Sequence, residues 1–590
     1  MTRKNRSSGQ RRPPAAWRPR VLFGTLVFLS VAIAARLFVL QIFDADFYQA
    51  LASDQHSLFQ EFFPKRGRIF VHDGKEGRLV ALAANEQRAF VYADPRLLSD
   101  PASTAKRIGE ILGLGEEKIA ALSVRFSHKE DPYEPVAHRV TEEQLQKILE
   151  PGEKGIAYAW ESVRFYPEPN TSGHVLGFVG ADEDGTLAGK YGIEGAFNKI
   201  LTGTPGFLHS ERDIGGRLIA VGNHAFVPAV DGADLVLTLD LPIQYVACTK
   251  LQEAVSKHEA DSGSVIIVEP KTGRILAMCS VPDFDPNRYN EVENASVFNN
   301  PAVFDAYEPG SVFKPFTMAA ALDTGAVEPT TTFEDTGSVI VTGWPAPLAN
   351  AENKKYGVVD MTQVLEDSIN TGVIFALRHT GLETFATYIH SFGFGERTGV
   401  ELGAESSGDI ASLENVKTEI YPATASFGQG ITVTPLQIVM AYAAIANGGL
   451  LLQPRIVDEV RYADGRMDRS AVKEVRQVIR PKTANLLGAM LISVVENGHG
   501  KQAAVSGYYI GGKTGTAQVA SKDRSGYDAD ATIGSFAGFG PVDDPRFAMI
   551  VRIDNPKGVT WAESTAAPVF GEIADFLVRY LEIPPKRDLK

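Results

Sequence analysis

Residues 21–43 read VLFGTLVFLSVAIAARLFVLQIF, 23 positions with Arg36 as the only charge. At 1.5 Å of rise per residue, a helix of that length reaches about 34 Å and can cross a bilayer. A cleaved signal peptide and a buried core helix are the competing readings, and Ala32-Ile33-Ala34 mimics a small-residue cleavage site. The apolar run continues through residues 37–40 past that site and exceeds a usual signal core, which favours a retained anchor. Arg3, Lys4, Arg6, Arg11, Arg12, Arg18 and Arg20 precede it, so the positive-inside rule keeps the N-terminus cytoplasmic and exports everything after residue 43. Arg36, near the outer end, can snorkel.

The basic tail hides how acidic the rest is. Residues 1–43 carry eight Lys/Arg and no acid, leaving 50 basic against 72 acidic residues, a body of net charge −22 that argues against a nucleic-acid partner. With 44% hydrophobic and 22% charged residues over 590 positions, the chain is globular and too long for one core. Two cysteines, Cys248 and Cys279, exclude a disulfide scaffold or a multi-cysteine metal site; one bridge or two buried thiols both remain open.

Residues 44–230 mix strand-like runs (68–72, 88–92) with polar helical segments (142–149), which predicts an elongated α+β pedestal. Beyond a boundary near 230 the pattern predicts a strand from Asp234, a helix over 242–257, and a hairpin of 264–269 with 274–280. It further predicts a core helix from Thr434 to Ala446, strands over 533–540 and 547–554, and a helix over 562–581. That order describes an antiparallel sheet flanked by helices, an α+β catalytic domain over 231–590.

Glu308-Pro309-Gly310-Ser311-Val312-Phe313-Lys314 opens a helical pattern, placing Ser311 at its N-terminus and Lys314 one turn later on the same face. A serine hydroxyl needs a base to become a nucleophile, and a lysine serves only when burial and nearby positive charge depress its pKa. Ser-x-x-Lys alone is weak evidence. It recurs at Ser103/Lys106 and Ser470/Lys473, which read as solvated pairs in polar helical runs. Ser311 differs in its companions downstream. Ser368-Ile369-Asn370 follows a short helix whose Asp360 and Gln363 resemble a capping box, although taken alone it reads as a helix-end turn. Lys513-Thr514-Gly515-Thr516 follows an apolar strand start, where glycines let another backbone approach and a peptide lie along the edge. Backbone N–H groups of Ser311 and Thr516 are candidates for an oxyanion hole. The same Lys-Thr-Gly tripeptide at 271–273 reads as a hairpin turn.

These three motifs in this order resemble the active-site signatures of the penicillin-binding proteins and serine β-lactamases, with 57 residues from Ser311 to Ser368 and 145 more to Lys513. The resemblance narrows to the class B, monofunctional penicillin-binding proteins, whose pedestal motifs are matched by Arg66-Gly67-Arg68-Ile69, Arg164-Phe165-Tyr166-Pro167 and Gly192-Ile193-Glu194-Gly195, with further matches in GQGITVTPLQ and SFAGFGP.

 The resemblance implies a penicillin-binding transpeptidase fold with an N-terminal pedestal and D,D-transpeptidase activity on peptidoglycan stem peptides. It casts Ser311 as nucleophile, Lys314 as its base and Ser368 as proton relay. Asn370 would bind the donor amide, and Lys513, Thr514, Gly515 and Thr516 would line the carboxylate site. It further implies no metal or organic cofactor, covalent capture of β-lactams at Ser311, and work beside a membrane glycan polymerase and division-complex proteins. The Glu308–Ser311 form and short loops resemble the septal enzymes, although Ser-Ile-Asn stands where many of those have Ser-Ser-Asn.

Other readings rank lower. A β-lactamase has no use for a pedestal and an anchor, a D,D-carboxypeptidase differs only in its acceptor, and a pedestal of about 180 residues leaves no room for a glycosyltransferase domain. An elongation-type enzyme, and a sensor or scaffold with little catalytic role, stand as the alternatives.

Overall fold

The computed structural model describes residues 17–43, 57–74, 77–169, 171–182, 185–211, 225–414, 417–520, 526–559 and 561–587. Most of the basic tail, and residues 44–56 at the start of the expected pedestal, lie outside them. The described chain forms two compact bodies, one drawn from residues 1–64 and 204–230 and the other from 65–203 and 231–590.

The first body contains helix α1 (Trp17–Phe38), which continues as a wider turn over Val39–Phe43. Arg20–Ile42 is long and apolar enough to cross a membrane, and none of it is buried against protein. The same body holds a three-stranded antiparallel sheet of Ser57–Phe62, Gly206–Glu211 and Ala225–Val227.

The second body is built on two sheets. In the first, β1 (Ile69–Asp73), β2 (Arg78–Ala93), β3 (Glu134–Val140) and β4 (Ile156–Phe165) pair antiparallel around the long β2. β5 (Asp234–Asp240) joins them parallel to β1 and antiparallel to Val457–Arg461. Thus the first strand past the expected boundary near 230 completes a sheet begun by the residues before it. The strand is buried along its inner five positions, residues 235–239, as a strand covered on both faces must be.

The second sheet has the order β7-β6-β10-β9-β8, all antiparallel, from β6 (Ser262–Val268), β7 (Ile275–Val281), β8 (Gly511–Ala520), β9 (Tyr527–Gly540) and β10 (Phe547–Asp554). The helices that matter here are α2 (Leu241–Lys257), α3 (Lys314–Thr324), α4 (Met361–Glu366), α5 (Asn370–Thr380), α6 (Pro435–Ala446) and α7 (Ala566–Tyr580). α2 and α7 cover one face and α6 lies against β6, β9 and β10. α6 is apolar on every side and buried from Pro435 to Ile445, with Thr434 and Gln437 closing a capping box. The expected α+β antiparallel sheet flanked by helices is therefore present. Cys248 of α2 and Cys279 of β7 form a disulfide, closing the question that sequence left open.

Three of the pedestal fragments quoted above converge on one buried carboxylate. Glu194 is fully buried; its Oε2 accepts from Arg66 Nε at 2.8 Å and its Oε1 from Arg164 Nε at 2.6 Å and Tyr166 Oη at 3.3 Å. Arg66 also donates to Asn198 and Thr202, and Arg164 to Gly67 O, so four segments are fastened at one point. Glu194→Ala leaves two guanidinium groups without their counter-charge. It is expected to cost about 3–5 kcal/mol in denaturant unfolding, with Glu194→Gln milder; a loss under about 1 kcal/mol would show that the cluster contributes little.

Candidate active site

Residues Gly310–Phe313 form one turn of 3-10 helix that runs directly into α3. With three residues per turn, Ser311 and Lys314 stand on the same side, as expected, although the first turn is 3-10 and not α. The turn and the first part of α3 are held by α6 and by the segment around residues 426–428. Tyr442 Oη of α6 donates to Val312 O at 2.9 Å, Gly310 N donates to Gly428 O at 3.0 Å, and Thr317 Oγ1 donates to Ser426 O at 2.7 Å. Gly310 has φ +59° and abuts Gly428, where an added Cβ would lie 2.2 Å from Gly310 O. Ser311 remains partly exposed while Lys314 is fully buried at 0%.

Ser368 follows α4, whose Asp360–Gln363 capping box is present as the sequence indicated. It occupies the left-handed region at φ +58°, a conformation that costs a non-glycine residue of the order of 1 kcal/mol and concentrates at functional sites. That turn aims Ser368 at the lysine: Lys314 Nζ donates to Ser368 O and, at 3.1 Å, to Ser368 Oγ. Asn370 is the first residue of α5, and its Nδ2 donates to Ala349 O at 3.0 Å.

β8 is the edge strand of its sheet, paired among the described residues with β9 alone. Lys513, fully buried, donates to Thr514 O at 3.2 Å and Thr514 Oγ1 at 3.3 Å. Thr516 Oγ1 accepts from Ala562 N at 3.2 Å, and alternation puts Thr514 and Thr516 on one face of the strand. Gly515 is where the strand meets the serine turn. A Cβ there would come within 2.8 Å of Val312 Cγ1 and 2.9 Å of Pro309 O, so only glycine permits this approach.

The electrostatics follow from this burial. Desolvation pushes Lys314 well below the ordinary lysine value, and the positive charge of Lys513 pushes it further. Burial lowers Lys513 to about 7, against the opposing pull of Glu563 and Asp367. The site therefore holds a hydroxyl on the same helical face as an amine whose neutral form burial favours, a second hydroxyl bonded to that amine, and the edge strand of the sheet. Such a set suits acyl transfer through serine.

The other Ser-x-x-Lys matches behave differently. Ser103 and Lys106 are exposed on the helix Pro101–Leu112. Ser470 and Lys473 lie in a connection between strands and not on a helix, correcting that part of the expectation: Ser470 N donates to Asp458 O and Lys473 O accepts from Gln453 N. Lys271–Gly273 turns between β6 and β7, with Gly273 at φ +70°. Sequence reasoning missed Tyr442 as an anchor of the serine turn, since a tyrosine inside an apolar helix carries no signal beyond burial.

Residues 263–575 match the penicillin-binding protein transpeptidase domain and residues 62–237 the penicillin-binding protein dimerisation domain. The chain belongs to the penicillin-binding protein transpeptidase family. Stage V sporulation protein D of Bacillus subtilis is 34% identical over 96% of this chain and 86% of its own length. Peptidoglycan D,D-transpeptidase FtsI of Escherichia coli K12 is 30% identical over 97% of this chain and 93% of its own. Among solved structures, penicillin-binding protein 3 of Mycobacterium tuberculosis complexed with aztreonam superposes with TM-score 0.68 at 26% identity, covering 90% of this chain and 99% of that one.

Proposed function

We propose that this protein is a peptidoglycan D,D-transpeptidase that cross-links stem peptides through an acyl-enzyme on Ser311. The observation that carries the reading is the buried Lys314, which reaches Ser368 of the second motif and is electrostatically coupled to Lys513 of the third. Neutral Lys314 takes the Ser311 proton as Oγ attacks the penultimate D-alanine carbonyl. The oxyanion that forms is held by the N–H groups of Ser311 and Thr516. The proton passes through Ser368 to the departing D-alanine amine, and the C–N bond breaks to leave a serine ester. The amine of a neighbouring strand then attacks the ester and returns the serine its proton. Asn370 holds the donor amide, while Lys513, Thr514 and Thr516 hold the terminal carboxylate.

In this reading residues 1–20 form a cytoplasmic tail, 21–43 the anchor, 44–230 the pedestal and 231–590 the catalytic domain, outside the membrane. The relatives named peptidoglycan D,D-transpeptidase FtsI support the transpeptidase reading, and septal wall synthesis alongside a glycan polymerase and division proteins is the role that the sequence resemblance implies. The relatives solved with aztreonam and ampicillin support capture of β-lactams. The test supplies full-length protein in detergent with pentapeptide-bearing glycan strands. Cross-linked stem peptides with matching release of D-alanine, both blocked by penicillin, are expected; D-alanine release without cross-links would make it a carboxypeptidase.

A further inference from the structure

One buried carboxylate beside the site has no part in the chemistry above. Asp335 ends the strand Thr332–Asp335, which pairs with Gly357–Asp360; between them the chain makes an excursion over residues 336–356. Asp335 is 3% exposed, and its hydrogen-bond partners are all neutral. Thr371 Oγ1 donates to it at 2.6 Å, Tyr356 N at 2.8 Å, Asn350 Nδ2 at 2.9 Å and Gly337 N at 3.0 Å. Burial alone would raise this carboxyl, but these donors outweigh it and hold it below the ordinary aspartate value. The group is thus an anion at neutral pH that gathers both ends of the excursion and the start of α5.

What it gathers is the second motif. Asn350 Oδ1 accepts from Thr371 N at 3.1 Å, and the adjacent Ala349 O is the acceptor for Asn370 Nδ2. Asn370 is therefore fixed through its side chain by residue 349 and through its neighbour Thr371 by Asp335 and Asn350. Asn350 and Thr371 are also buried, so no water replaces these bonds cheaply.

We propose that Asp335 is a positioning residue for Asn370, acting through Asn350, Ala349 and Thr371 to set the donor-amide site of the transpeptidase. This deepens the functional reading and rests on it. Asparagine at 335 keeps the shape but turns an N–H₂ toward groups that themselves donate, so the shared hold on Asn350 and Thr371 is weakened.

The experiment measures acylation of the full-length protein by a fluorescent penicillin, with thermal melting alongside. Asp335→Asn is expected to slow acylation about tenfold or more. Thr371→Val, which removes one donor and keeps the carboxylate, is expected to slow it severalfold with little change in melting. In the Asn370→Ala background, Asp335→Asn should add less than about twofold, because its route is already cut. The exchange Asp335→Asn with Asn350→Asp restores one carboxylate and one amide to the cluster and should recover part of the loss. Folded Asp335→Asn or Thr371→Val protein that acylates within twofold of wild type would overturn the proposal, as would fully multiplicative losses with Asn370→Ala. Should Asp335→Asn fail to fold, Thr371→Val decides. If Asn370→Ala itself has no effect, the role given to Asn370 fails instead, which separates the two readings.

Discussion

Full-length protein carrying Ser311→Ala is expected to bind no fluorescent penicillin above background while melting within a few degrees of wild type. The label depends on an ester to one hydroxyl, so removing the oxygen removes the bond and not merely a rate. Ser368 Oγ is engaged by Lys314 Nζ on a left-handed turn, and Thr516 Oγ1 by the Ala562 N–H. Ser311 is partly exposed at a turn whose anchors are Val312 O and Gly310 N, so losing its hydroxyl should alter stability by only about 1 kcal/mol or less. Gel fluorescence after a time course of labelling decides it, and label retained by the alanine protein would refute the nucleophile assignment. The same variant separates enzyme from scaffold. Expressed while the wild-type copy is depleted, it should fail to support growth; growth at the normal rate would mean that catalysis is secondary.

Much of this architecture is written locally. The Asp360–Gln363 capping box, the apolar β10 run and the start of α6 at Thr434 each declare themselves within a few residues, and the structure has them where the local pattern places them. The three motifs were legible for the same reason, as short strings with a chemical purpose. What escaped depends on which distant segments meet. Asp335-Thr336-Gly337 looks like any turn until Asn350 and Thr371 are folded onto it, and Glu194 sits in a short glycine-bounded helix that gives no hint of two arginines. β5 likewise looks like the opening of a new domain, since nothing in LVLTLD reveals that its parallel partner lies about 165 residues earlier. Ser470 and Lys473 were misassigned because their polar surroundings suit a solvated helix and an exposed connection equally.

Lys314→Met carries the other large effect, and it moves activity and stability in opposite directions. Methionine nearly matches the lysine stem in volume and removes the amine, so acylation by penicillin is expected to fall about 10³-fold, the usual worth of a positioned base. Wild-type acylation should rise with pH as Lys314 loses its proton, and that rise should be complete well below 10.5 because burial and Lys513 both favour the neutral amine. In the variant this limb should vanish. Stability runs the other way. Both lysines have folded pKa values below their unfolded ones, so the unfolded chain binds more protons and stability increases with pH, from about 7 where Lys513 titrates up to 10.5. At neutral pH the buried amine of Lys314 is a cost that the fold carries, offset only in part by its hydrogen bonds to Ser368. The methionine protein is therefore expected to melt at or above the wild-type temperature and to gain less stability between pH 7 and 10. A variant that acylates within tenfold of wild type would remove Lys314 from the role of base. One that is slow but melts far lower would mean that the lysine is retained for packing, and that the depressed pKa is a consequence of burial and not its purpose.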